Sequence, residues 1–208
     1  MRPEEIEKRS FEIIERELTR PLDPRHAPII KRVIHTTADF DYADSLLFSG
    51  DAVDVARAAI SAGALIVTDT NMVKAGINAQ KLAQFGGEVC CFIADSDVAQ
   101  NAKAQGLTRA RVAVDKAAQL DRTLIFAIGN APTALMRICE LVVGGKLRPA
   151  LIIGAPVGFV NVVESKEALI RLGLPYIVSS GRKGGSTVAA AICNALIYGI
   201  EQPGEGQG

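Results

Sequence analysis

Five short runs of apolar, mostly β-branched residues alternate with helical patterns along this chain, and few folds accept that alternation. The runs cover residues 64–69, 88–94, 123–128, 150–153 and 175–179. Apolar residues recur with helical spacing over 72–77, 99–105, 131–143, 160–172 and 186–200. A strand with one wet face alternates polar and apolar residues; a near-continuous apolar strand must be buried on both faces. Such strands, separated by helices, build a parallel sheet between two helical layers. The expected fold class is therefore α/β, three-layer α/β/α with a mainly parallel central sheet of about five strands. No repeat or linker divides the chain. Residues 1–200 are expected to form one domain, and the polar, glycine-rich residues 201–208 a flexible tail.

Two helices are expected before the first strand. One covers residues 3–18, with Ile6, Ser10, Ile13 and Ile14 on one face. The Ser10 hydroxyl either bonds back to the carbonyl four residues earlier or offers a donor to something bound there. After Pro21, Asp23, Pro24 and Pro28, a second helix opens at Asp23 or Pro24. Ile30, Val33, Ile34 and Thr37 share its buried face, and His35 borders that face. Arg32 and Asp39 stand about one turn to either side, charges of opposite sign. Imidazole is the side chain best suited to moving a proton near neutral pH. A structural histidine with a satisfied hydrogen bond is the alternative. Further on, Asp51 is expected to cap a helix that Gly63 ends.

Ligands of open parallel sheets sit at the carboxyl ends of the strands, where helix N-termini point. Three of those junctions are rich in glycine or proline: Gly129 to Thr133, Gly154 to Phe159, and Ser180 to Ser186. Each offers backbone N–H groups and a positive helix end. Asn130, Thr133, Gly158, Arg182, Gly184, Gly185 and Ser186 are the candidate binding residues there. With Arg32 and Arg109 they suit a large ligand carrying several carboxylates. Ordinary turn chemistry is the alternative for each loop. Thr108 and Arg109, after Gly106, read as a helix start. Glu164, Ser165 and Lys166 read as capping and solvated charge.

Several classes are disfavoured. Neither the phosphate-loop spacing nor the G-x-G-x-x-G dinucleotide pattern is present. Formal charge balances at +0, which removes a global electrostatic case for nucleic acid or an anionic membrane. Cys90, Cys91, Cys139 and Cys193 show no Cys-x-x-Cys spacing and lie in apolar segments, which suits buried free thiols. No metal-ligand spacing involves either histidine, so no protein-held metal and no cofactor are expected. Without a leader or an apolar run long enough to span a bilayer, a cytoplasmic location is the default.

Certain spellings occur together and in order: Arg32-x-x-His35-Thr36-Thr37-Ala38-Asp39, Thr68-Asp69-x-Asn71-Met72, Gly129-Asn130-Ala131-Pro132-Thr133, Gly154-x-Pro156-Val157-Gly158-Phe159, Glu164-Ser165-Lys166 and Gly181-Arg182-x-Gly184-Gly185-Ser186. As a set they resemble the precorrin-8X methylmutase family of corrin (vitamin B12) biosynthesis, over nearly the whole chain. The resemblance implies a homodimeric α/β isomerase with its active site near the subunit interface. It would move a methyl group from C11 to C12 of a corrin-ring precursor without an external donor. His35 would be the proton donor, with Ser10, Arg32, Thr108 and Arg109 as substrate contacts and Arg109 reaching across the dimer. Cobalt, where present, would arrive inside the substrate, and the Thr36-Thr37-Ala38-Asp39 spelling leans towards the cobalt-containing ring. A corrinoid carrier with the same pocket and no chemistry is the alternative; a nucleotide-dependent transferase is a weaker one.

Overall fold

In the computed structural model, which describes residues 2–200, the apolar runs pair into a single sheet. The chain runs α1 (Pro3–Glu17), α2 (Ala27–Thr37), α3 (Tyr42–Ser45), β1 (Leu46–Phe48), α4 (Ala52–Ser61), β2 (Leu65–Thr68), α5 (Asn71–Gly76), α6 (Ala79–Ala83) and β3 (Glu88–Cys90). It continues through α7 (Ser96–Gln105), α8 (Arg109–Ala117), β4 (Leu124–Ile128), α9 (Pro132–Val143), β5 (Leu151–Gly154), α10 (Val162–Ile170), β6 (Tyr176–Ser179) and α11 (Ser186–Tyr198). The expected tail, 201–208, lies outside the described residues.

The strands lie in the order β1-β6-β5-β4-β2-β3. Five are parallel. The sixth, β1, runs antiparallel along β6 with Leu47 opposite Val178, an edge strand beyond the five expected. From β2 the chain adds β3 on one side and then crosses to add β4 on the other. The point where strand order reverses therefore lies between the carboxyl ends of β2 and β4.

Every residue of β2, β4 and β5 is buried, which explains why these strands read as unbroken apolar runs. The two-residue period then divides them. Ile66, Ile125, Ala127, Leu151, Ile153 and Ile177 pack beneath α2, α4 and α11. Leu65, Val67, Phe126, Ile128, Ile152 and Val178 pack on the opposite face beneath α8, α9 and other helices. The result is the three-layer arrangement. Helix α2 opens at Ala27, later than Asp23 or Pro24, because Asp23 is spent on a turn in which it accepts from the Arg25 N–H. Burial pushes the Cys90 and Cys139 thiols up to about 11 and Cys193 up to about 12, which keeps them protonated and unreactive.

Candidate active site

Helix α2 turns Ile29, Ile30, Val33 and Ile34 into the core against α11, and this leaves His35 on the outer side. Ala38 ends the helix in the left-handed conformation, φ 53°, its N–H bonded to Ile34 O at 2.7 Å. The His35 ring is exposed and makes no hydrogen bond among the described residues, so the satisfied structural histidine is not what the fold contains. It stacks on Phe11 of α1, centroids 5.2 Å apart and planes 17° apart. Between α1 and α2 lies a pocket of about 260 Å³ lined by Ser10, Ile14, Glu17, His35, Ala38 and Phe40 among others. The serine and histidine singled out from sequence thus share one cleft. Ser10 donates to Ile6 O at 2.9 Å, the back-bond of the modest alternative, and its oxygen retains acceptor capacity. Arg32 pairs with Glu7, and its guanidinium lies 4.9 Å from the Phe11 centroid and 5.6 Å from that of Tyr198. Its charge is already matched by a protein carboxylate.

The strand-order reversal holds something the sequence reading missed. Asp69, directly after β2 and 4% exposed, accepts from the N–H groups of Gly129, Asn130 and Ala131 at 2.9, 2.8 and 2.6 Å. Those are the groups expected to receive a ligand anion at the start of α9. A protein carboxylate occupies that corner instead. Burial pushes the Asp69 carboxyl above its usual range, against the pull of the three donors. Gly129 is required there, since a Cβ on it would lie 2.7 Å from Ser186 Cα. Ser186 in turn lies 3.1 Å from Thr70 Oγ1, and Thr70 caps α5 by accepting from Val73. Any contribution from Asn130 must come from its exposed side chain.

The other two corners also use backbone groups internally. Gly185 N–H bonds Ala155 O at 2.8 Å and Gly158 N–H bonds Arg182 O at 3.3 Å, which straps the two loops together. Gly184 has φ +155°, and a Cβ there would meet Ala155 O at 2.3 Å. Beneath them sits Lys166, 2% exposed and not the solvated residue its acidic neighbours suggest. Its Nζ donates to Gly181 O and Lys183 O, each at 2.8 Å, and makes no ion pair among the described residues. Burial pulls its pKa down to about 8. Lys183 reaches the other way, to Asp39 and Asp41, each at 2.6 Å. Those contacts hold the Asp39 carboxyl below its ordinary value, so Asp39 serves the loop and not the imidazole.

The depressed Lys166 pKa has a definite sign in stability. Below about pH 8 the fold carries the full cost of a buried ammonium. From there to about 10.5 the unfolded chain binds the extra proton, so stability rises with pH. Wild-type stability relative to Lys166→Met should therefore increase by about 3 kcal/mol between those limits. Urea unfolding of both proteins at the two pH values checks it, and a constant difference would contradict a neutralised buried amine. The comparison must be relative, because the raised thiols act in the opposite direction above about pH 9.

On the far side of Asp69, Thr108 caps α8 by accepting from Arg111 N–H and lies 3.0 Å from Thr133 Oγ1. The helix start expected at Thr108 and Arg109 is present, and it sets Thr108 beside the first turn of α9. Arg109 and Arg182 make no ion pair among the described residues; Arg182 rests 5.5 Å from the Phe159 centroid. Large apolar side chains crowd the same edge: Met72, Leu107, Val157, Phe159 and Val160 are exposed, Phe159 by 82%. Thus the candidates form an α1–α2 cleft, a Thr108–Thr133 group and the 180–186 loop, linked by Lys183 and by the contact of Ser186 with Gly129.

Among the described residues no three His, Cys, Asp or Glu side chains converge as metal ligands, and no helix is long and apolar enough to cross a membrane. A model of the precorrin-8X methylmutase family matches residues 5–199. A cobalt-precorrin-8 methylmutase of Salmonella typhimurium is 49% identical, covering 96% of this chain and 97% of that one. One of Priestia megaterium is 46% identical over 197 residues, covering 94% and 88%. A precorrin-8X methylmutase of Pseudomonas aeruginosa is 42% identical over 167 residues, covering 79% and 80%. The crystal structure of a precorrin-8X methylmutase from Thermus thermophilus superposes with a TM-score of 0.87 at 43% identity, covering 94% of this chain and 95% of the other.

Proposed function

Because the chain belongs to the precorrin-8X methylmutase family, an isomerase family of cobalamin biosynthesis, we propose that it moves a methyl group from C11 to C12 of the ring, with His35 as proton donor. The observation that carries this reading is the exposed His35 imidazole, without a hydrogen bond among the described residues, in the cleft that Ser10 also lines. The methyl group leaves one ring carbon and joins its neighbour within the same molecule. No external donor enters; the protein lends one proton to a ring nitrogen or adjacent carbon, and the ring gives one proton back after the shift, so substrate and product remain isomers. A positioned acid contributes on the order of 10²–10⁴-fold, and orientation with electrostatic preorganisation supplies the remainder.

A cleft of about 260 Å³ admits only part of a tetrapyrrole. The rest of the disc extends along the strand ends. There the exposed apolar side chains offer it surface, and Arg109 and Arg182 are available for its carboxylates. Arg32, Thr108, Asn130, Thr133, Gly158, Gly184, Gly185 and Ser186 complete the binding set. Asn130 acts through its side chain, and the glycines through the shape of their loops. A second subunit over the apolar edge would enclose the ring, with Arg109 crossing the interface. No protein-bound cofactor takes part; cobalt, where present, is carried by the ring.

Purified protein should convert precorrin-8X and cobalt-precorrin-8 to hydrogenobyrinate and cobyrinate with no methyl donor added. The cobalt form is expected to react faster. Absorbance of the product corrin reads both reactions. Conversion of neither ring, with tight product binding retained, would support the carrier instead.

A further inference from the structure

The loop between β6 and α11 is fastened from two sides, and the fastenings bracket one residue. From below, the buried Lys166 amine grips the carbonyls of Gly181 and Lys183, the residues immediately before and after Arg182. Ser179 Oγ donates to the same Lys183 carbonyl at 2.7 Å. From the side, Lys183 Nζ bridges Asp39 and Asp41, in the turn that leaves the His35 helix. That turn is itself fixed: the Asp39 N–H meets Thr37 Oγ1 at 3.2 Å, and Asp39 Oδ1 accepts from Asp41 N–H at 3.0 Å. The Arg182 guanidinium remains outside this clamp, over the exposed Phe159 ring, with no carboxylate partner among the described residues.

We propose that Lys166 and Lys183 are positioning residues that hold Arg182 at a fixed separation from His35. The proposal rests on the methylmutase reading and deepens it. Arg182 anchors a peripheral carboxylate of the ring, and the lysine latch sets where that anchor stands relative to the acid. A ring held at its rim but displaced by about 1 Å from the acid can lose on the order of 10²-fold in rate. Spanning 144 residues of sequence, the Lys183–Asp39 bond ties the acid's helix to the anchor's loop. Neither lysine touches the substrate in this scheme.

Lys183 gives the cleaner test, because it is about half exposed and its ion pairs add little to folding. Lys183→Met should lower kcat for precorrin-8X or cobalt-precorrin-8 by about 10- to 100-fold. Its melting temperature should fall by less than about 4 °C. Amide hydrogen exchange over 180–186 should quicken. Lys183→Arg, which can bridge the same carboxylates, should restore most of the rate. In an Arg182→Ala background the Lys183→Met effect should largely vanish, since both changes act through one anchor. An unchanged kcat in Lys183→Met, or full additivity with Arg182→Ala, overturns the latch and leaves the methylmutase reading intact. Wild-type protein that converts neither ring overturns both.

Discussion

Replacing His35 with alanine should cut turnover severely and leave the fold and corrinoid binding in place. The ring stands outside the core, stacked on one face of Phe11, and among the described residues makes no hydrogen bond whose loss would strand a partner. Its removal therefore deletes a proton donor and little else. The expected loss is on the order of 10²–10⁴-fold in kcat. Affinity for hydrogenobyrinate, read by titration, should stay within a few-fold, because uniform binding comes from the rim anchors. A variant that turns over at near wild-type rate would remove His35 from the chemistry.

The second large effect concerns Asp69 and is one of stability. Asp69→Ala leaves the N–H groups of Gly129, Asn130 and Ala131 without their acceptor, at bonds that are buried for Gly129 and part-buried for the other two. Stranding buried donors of this kind costs about 3–5 kcal/mol, a large share of the ~5–15 kcal/mol that holds a domain together. Asp69→Asn should lose less, since its carbonyl still accepts while its amide nitrogen opposes a donor. Urea unfolding measures both. A loss under about 1 kcal/mol in the alanine variant would show that the start of α9 needs no internal anion.

That carboxylate also revises how the strand ends work. Three anion-receptive corners were expected from glycine, proline and helix starts. The fold uses much of that backbone polarity to hold its own loops: Asp69 at one corner, Ala155 and Arg182 carbonyls at the others. In the proposed reading, recognition of the ring's carboxylates falls chiefly to the Arg109 and Arg182 side chains, on loops that these backbone bonds tie together. A frame of this kind is preorganised, which is what an enzyme that supplies only orientation and a proton needs.

Local chemistry was legible in the sequence, and long-range pairing was not. The buried strands announced themselves because both faces of 65–68, 124–128 and 151–154 are covered by helices. Thr108 was readable as a cap, since its hydroxyl serves a backbone group three residues on. Strand β1 was not, because three residues between a one-turn helix and a loop carry no periodic signal; only pairing with β6 makes Leu46–Phe48 a strand. Lys166 sits between Glu164 and Glu167 and reads as surface charge, and only the tertiary fold buries it beneath residues 181–183. Asp69 ends a strand in a polar turn, and its partners lie 60 to 62 residues ahead. His35 and Ser10 were each visible, but nothing in the spacing placed them in one cleft. Family resemblance joined them, and the packing of α1 on α2 supplies the physical reason.

The most direct test follows the methyl group. An equimolar mixture of uniformly ¹³C-labelled and unlabelled precorrin-8X, incubated with the purified protein and no other methyl source, should give only fully labelled and fully unlabelled hydrogenobyrinate by mass spectrometry. Products of mixed label, or no product until a methyl donor is added, would contradict an intramolecular shift guided by His35.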